Sequence, residues 1–191
     1  MRLSDIAEVR IGHNFRRELI SLEKKECIVS TIPVVQPRDV KNFNHINTCN
    51  LEKADVVNAK EKYFLYQNEV LFTNKGDFKA AIWKNNLQTI ASSAFYRIKL
   101  INEKYYPEFV ALYLSSPICK SQLNLRQNTE RVSTITINEL KQIDIPLLPL
   151  EKQKQIVELF LLYEKEVDIF EKIKQSRKKL INSILSQTIK E

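Results

Sequence analysis

The sequence predicts an α+β chain: a β-rich domain of mixed or antiparallel strands with packed helices, followed by one long coiled-coil helix. Three observations predict it. Short runs of β-branched and aromatic residues alternate with turn residues as far as Leu100. From Pro107 the apolar spacing changes to a helical period. From Ile156 a heptad repeat sets in, and residues 150–191 contain neither glycine nor proline.

Residues 1–11 alternate loosely between apolar and polar, as an entry strand or short helix would. Gly12–Arg17 make a polar, basic loop. Residues 28–35 (IVSTIPVV) predict a strand, with Pro33 arguing for an edge or a bulge. Gln36–Asp39 follow as a turn, and residues 43–60, rich in asparagine, predict an irregular loop. Tyr63–Leu65 and Glu69–Thr73 predict strands on either side of a Gln67-Asn68 turn. Asn74–Asp77 form a second turn, and Ala80–Trp83, Thr89–Ala91 and Ala94–Leu100 return to extended structure. The last of these alternates at period two.

Pro107-Glu108 opens a helix, with proline and acid in the first-turn positions that favour them. Its stripe of Phe109, Leu112, Tyr113 and Leu123 is interrupted near Ser116-Pro117. Residues 126–138 predict a polar loop entering a short β segment. Pro146 and Pro149 then mark a boundary, which places a globular domain at 1–148 and a dimerising, spacing helix at 149–191.

In that helix Ile156, Phe160, Tyr163, Val167 and Phe170 alternate steps of four and three. Continuing the register puts Lys174 and Arg177 on the seam, then Ile181 and Ile184. Forty residues of helix span roughly 60 Å, more than a small domain buries alone. The seam therefore predicts a partner helix, and its polar members serve register or orientation. The alternative is an amphipathic helix folded back on its own domain.

Composition narrows the chemistry. The net charge of +7 favours a polyanionic partner, because each phosphate neutralised by Lys or Arg releases counterions. Two glycines, Gly12 and Gly76, are too few for a phosphate-cradling loop, so Walker and Rossmann sites are excluded. No apolar run approaches the roughly 20 residues of a membrane helix. Three widely spaced cysteines and an acid at Asp5 predict a reducing, cytoplasmic setting without a disulfide framework. His45 and Cys49, on one helical face at best, fall short of a zinc site, so neither a metal nor a cofactor is expected.

Catalysis finds little support. Asp77-Phe78-Lys79 behind Glu69 or Asp55, and Glu23-Lys24-Lys25, loosely match a metal-dependent nuclease, whose carboxylates must converge on a cation. Ser92-Ser93 has neither a glycine elbow nor a related histidine. What remains is a set of loops suited to base and phosphate contact: His13–Arg17, Gln36–Asp39, Asn74–Lys79 and Arg126–Thr134. Within them the candidate DNA contacts are Gln36, Arg38, Asn74, Lys75, Lys79, Arg126, Gln127, Asn128 and Arg131.

Four stretches resemble the specificity subunits of type I restriction–modification systems. They are Leu3–Gly12, Gln67–Thr73 followed by Gly76, Tyr106–Leu114 followed by Ser115-Ser116-Pro117, and Ile143–Ile156. Asn68 stands where that family usually has glycine, a change that a turn absorbs because asparagine tolerates positive φ. The resemblance implies a non-catalytic subunit that recognises double-stranded DNA. It also implies docking to a methyltransferase (modification) subunit, with a restriction subunit as a further candidate. Full-size members of that family hold two recognition domains and two long helices, so this chain resembles a half-subunit. The resemblance then implies a homodimer, paired antiparallel through 150–191, reading a bipartite inverted repeat. The competing expectation is a coiled-coil adaptor that assembles or regulates a methyltransferase without reading sequence.

Overall fold

The computed structural model describes residues 1–15, 29–57, 60–124 and 134–188. In chain order these form α1 (Leu3–Ile6), β1 (Ala7–Ile11), β2 (Val29–Val35), β3 (Val40–Asn42), β4 (His45–Ile46) and β5 (Glu52–Val57). There follow β6 (Val70–Thr73), β7 (Ala80–Ile82), β8 (Ile90–Ala91) and β9 (Phe95–Leu100). The helices α2 (Pro107–Ser115), α3 (Pro117–Asn124), α4 (Ile137–Lys141) and α5 (Leu150–Thr188) complete the chain. By contacts, Met1–Gln153 form one compact unit and Lys154–Glu191 a second. The first turn of α5 thus belongs to the domain, a few residues beyond the proline-marked boundary. Among the described residues no helix is long and apolar enough to cross a membrane.

Among the described residues two larger sheets and the two-stranded β3-β4 ribbon make the domain. One has the order β1-β9-β6-β7 and is antiparallel throughout; the other, β5-β2-β8, pairs β5 antiparallel and β8 parallel to β2. The alternation in β9 assigns its faces. Tyr96 and Ile98 are buried on the side of Ile11 and Val9, while Arg97 and Lys99 lie opposite Arg10 and Glu8. α2 packs on β6 and β7 with Phe109, Val110, Ala111, Leu112 and Leu114 buried. Between the sheets lies a second core in which Val35, Leu71, Trp83 and Phe95 meet, each about 1% exposed or less.

Several elements differ from the sequence expectation. Residues 52–57, read as loop, form the edge strand β5, paired with β2 from Val57 to Glu52. Glu52, Lys53 and Asp55 are exposed there, and charge on an edge is what keeps such a strand from pairing further. Pro33 sits in the central strand, not an edge. It faces Lys53, and β8 joins β2 only at Val34 and Val35, so its missing N–H interrupts no ladder on that side. His45 belongs to β4 and Cys49 to a loop, so they share no helical face. Ile137–Lys141 is a helix where a short β segment was expected. Its Thr136 hydroxyl accepts from Glu139 N (3.2 Å), while Glu139 Oε2 accepts from Thr136 N (2.7 Å), a capping box.

Tyr63–Leu65 is not a strand either, and Arg97 explains why. Its buried guanidinium donates to Glu69 through Nε and Nη2, both at 2.9 Å, and to three main-chain carbonyls. Those are Lys62 (3.0 Å), Tyr63 (2.9 Å) and Phe64 (2.6 Å), the carbonyls a strand would have spent on a ladder. Burial raises the Glu69 carboxyl above its ordinary range despite the opposing pull of Arg97. At the other end Gln153, fully buried, holds the first turn of α5. Its Oε1 accepts from Tyr106 N (2.8 Å), and its Nε2 donates to Lys104 O and Leu148 O, both at 2.7 Å.

The second unit is helical from Lys154 to Thr188. Its predicted seam is largely solvent-exposed in this single chain: Phe160 is 37% exposed, Tyr163 55%, Phe170 62% and Ile181 57%. Leu159, Leu162, Ile169, Ile173 and Leu180 are exposed beside it.

Candidate nucleic-acid interface

The expected contact loops leave the ends of four different elements, and the fold hangs their described parts on the β8–β9 turn. His13 N donates to Ala91 O (2.7 Å) and Gly12 N to Phe95 O (2.9 Å), which ties down the loop after β1. Ser92 N donates to Val35 O (3.1 Å), which fixes the start of the Gln36–Asp39 turn. Asn74 N reaches Ala94 O (2.9 Å), and its amide Nδ2 reaches Ser93 O (2.8 Å). The fourth loop joins through Asn74. Ile135 N donates to Asn74 O (3.1 Å), and Lys75 bridges to Thr134. Tyr96 Oη closes the junction on Ile135 O (2.9 Å).

Gly12 is dictated by this convergence. A Cβ there would stand 2.0 Å from Ser92 O and 2.7 Å from Ala91 O, both main-chain atoms with no free end to swing away. Ser92-Ser93, barren as a nucleophile site, is therefore where the loops meet.

The predicted contacts divide by environment. Lys75 and Lys79 are exposed on a rigid turn. Thr73 Oγ1 accepts from Lys79 N (2.9 Å) and donates to Asp77 O (3.1 Å), Gly76 adopts φ +74°, and buried Phe78 stacks on Phe72 at 5.8 Å. Gln36 and Arg38 share one acceptor, Glu52 Oε2, at 3.2 and 2.5 Å. With Arg38 67% and Glu52 52% exposed, that pair contributes at most about 1 kcal/mol, so Arg38 is easily surrendered to a phosphate. Asn74 is buried, with its amide donor already bonded, so its side chain positions the turn. Arg126, Gln127, Asn128 and Arg131 lie outside the described residues, as do Arg16 and Arg17.

Sequence reasoning missed a neighbouring basic, aromatic surface. A cavity of about 460 Å³ is lined by Arg10, His13, Asn14, Lys62 and Tyr63, and a second of about 330 Å³ by Arg10, Lys62, Tyr66 and Lys99. Lys62 Nζ stands 5.4 Å from the Tyr63 ring centre and Lys99 Nζ 5.2 Å from that of Tyr66. The His13 ring packs 4.5 Å from Tyr63 and 4.9 Å from Phe15. One signal was legible: charges at alternate positions, Glu8 and Arg10 against Arg97 and Lys99, mark a sheet face that is not apolar core. Among the described residues the carboxylates of the nuclease match do not converge, and Glu23-Lys24-Lys25 lies outside the described residues. Glu69 is engaged with Arg97, Asp55 accepts from Thr31 Oγ1 (2.7 Å), and Asp77 sits on the exposed turn.

Residues 1–178 match the family model described as the type I restriction modification DNA specificity domain. The chain is 25% identical to the type I restriction enzyme EcoBI specificity subunit of Escherichia coli, over 98% of this chain and 37% of that protein. Its fold is similar to the crystal structure of the HsdS subunit from Thermoanaerobacter tengcongensis. The TM-score is 0.64 at 17% identity, over 94% of this chain and 45% of that one. It is also similar to a chain from a study of complex assembly and conformational transition in the type I R-M system. There the TM-score is 0.58 at 17% identity, over 89% and 39% of the two chains. The chain thus spans less than half the length of each of these relatives.

Proposed function

Because the chain belongs to the type I restriction–modification DNA specificity family, whose members recognise DNA and leave catalysis to other subunits, we propose that the loops gathered on the β8–β9 turn read one half of a bipartite DNA site. The observation that carries this is the convergence itself: segments from three parts of the chain meet on Ala91–Phe95, and a fourth joins them through Asn74 and Tyr96. Side chains capable of base and phosphate contact are thereby presented from one rigid frame. Lys75, Lys79, Arg38, Arg10 and Lys62 serve phosphates, and Gln36 together with Gln127, Asn128 and Arg131 serves base edges. Asn74 supports them from beneath.

Two copies pair antiparallel through α5, so that two identical domains read an inverted repeat across a fixed spacer. Isologous pairing through the same surface is the usual form of a dimer. The assembly docks on a methyltransferase subunit, which carries the chemistry, and a restriction subunit can join it. The exposed seam of α5 also supports a second reading, an adaptor that joins a methyltransferase without reading sequence.

Selection from randomised duplex DNA, with and without the methyltransferase subunit, separates these readings. The expected product is a spaced inverted repeat. A single half-site keeps the reader and removes the dimer. No enrichment, with the two proteins shown to associate, replaces the reader with the adaptor.

A further inference from the structure

Charge along α5 is segregated. Residues 158–171 carry five carboxylates (Glu158, Glu164, Glu166, Asp168, Glu171) against Lys165, net −4. The equal stretch 172–185 carries Lys172, Lys174, Arg177, Lys178 and Lys179 with no acid, net +5. Paired helices run about 8–10 Å apart, within one Debye length at about 0.1 M salt. A parallel pair sets −4 against −4 and +5 against +5. An antiparallel pair centred on the boundary sets the net-acidic half of each helix along the net-basic half of the other.

The apolar seam supplies an independent constraint. Antiparallel knobs-into-holes packing brings each first seam position against a second seam position of the other helix. With the two-fold axis beside residue 172, Phe160 meets Ile184, Tyr163 meets Ile181, Val167 meets Arg177 and Phe170 meets Lys174. This register falls within one residue of the charge boundary. It overlaps residues 156–188, almost the full helical length outside the folded domain. A shift of one heptad in one direction sets the partner's end opposite Pro149–Ile156, which includes the fully buried Gln153. The opposite shift leaves Ile156 and Phe160 beyond the overlap.

We infer that a second copy of this chain packs on α5 antiparallel with the two-fold axis at Lys172, in a register selected by the acidic half of one helix lying along the basic half of the other. The inference rests on the antiparallel dimer proposed above and adds its register and the charge pattern that selects it. Lys174 and Arg177, the polar interruption of the seam, then have a purpose. Each crosses to the partner's Val167–Glu171 stretch, and Lys178 lies between the partner's Glu164 and Glu171. The Lys174–Glu171 contact within one chain (3.3 Å) is 76% and 56% exposed, too weak to hold Lys174 back.

The test uses single nitroxide labels on the full chain at the outward positions Lys165, Lys172, Lys179 and Ser186, each changed to cysteine in a C27S/C49S background. Cys119 is buried with its thiol pushed up to about 12, so it stays unlabelled. Sedimentation first establishes the dimer, and pulsed dipolar spectroscopy then measures label-to-label distance. At 1.5 Å rise per residue the expected axial offsets are about 0 Å at 172, about 21 Å at both 165 and 179, and about 42 Å at 186. Equal distances at all four positions mean a parallel pair and overturn the inference. Unequal distances at 165 and 179 place the axis elsewhere and overturn the register. Sedimentation as monomer overturns the dimer itself, a separate failure from either.

Discussion

Gly12→Ala tests the recognition frame at its tightest point. The new methyl group would stand 2.0 Å from Ser92 O, so strand β1 and the β8–β9 turn must separate by more than an ångström. Overpacking of this kind costs about 1–3 kcal/mol. The movement also strains Gly12 N–Phe95 O and His13 N–Ala91 O, worth about 1 kcal/mol each. A total near 3 kcal/mol corresponds to a fall in Tm of roughly 6–12 °C for a domain of this size. Gly76→Ala is the control: nothing lies within 4 Å of its Cβ, and its penalty comes from φ +74° alone, about 1–2 kcal/mol. Differential scanning calorimetry gives the stability and titration of labelled duplexes the binding. Below the transition, Gly12→Ala should lose discrimination between cognate and scrambled duplex while retaining salt-dependent binding to both. A Gly12→Ala protein that melts within 2 °C of wild type and selects the same site would refute the idea that the β8–β9 turn holds the loops in place.

Arg97→Ala should cost about 3–5 kcal/mol in chemical denaturation, because it strands a buried carboxylate and three carbonyls together. Glu69 predicts a pH signature. Its folded pKa lies above 4.5, so the stability it contributes when protonated is lost as pH rises through the folded value. Urea titrations across that window should show Glu69→Gln gaining on wild type as pH rises, and a constant difference would contradict it. Gln153→Leu removes three hydrogen bonds and should cost about 2–4 kcal/mol by calorimetry, with a domain of unchanged circular dichroism below its transition. Lys75→Ala should weaken binding alike on all duplexes and lower the salt slope by about 0.9, whereas Gln36→Ala should relax preference at one base pair; equal losses on every duplex from both would reject these roles.

Much of this architecture was legible because it is periodic. The helical period after Ile156, the alternation of β9 and the Pro107 start of α2 are local patterns, and the fold has the long helix, the strand and the helix start they predict. The Thr136-x-x-Glu139 capping box was equally local, yet the β-branched run around it suggested a strand. β5 was hidden by its charges, which suit an edge but resemble a loop. Tyr63–Leu65 misled for a tertiary reason: a guanidinium from β9 takes the carbonyls that a strand would use. The junction of the loops was not legible. Nothing local in Ser92-Ser93 announces that His13, Val35 and Asn74 will meet there.

Among the described residues the loops are held at the β8–β9 turn mainly by main-chain bonds, with the Asn74 amide and the Tyr96 hydroxyl as side-chain anchors. A peptide N–H and carbonyl are the same whatever side chain they carry. Selection can therefore rewrite the residues that project from these loops while the frame beneath them keeps its shape. On the proposed reading of these loops, a new DNA specificity requires neither a new fold nor compensating changes in the core, and loops grafted between relatives should keep their poise if Gly12 and Asn74 are left in place.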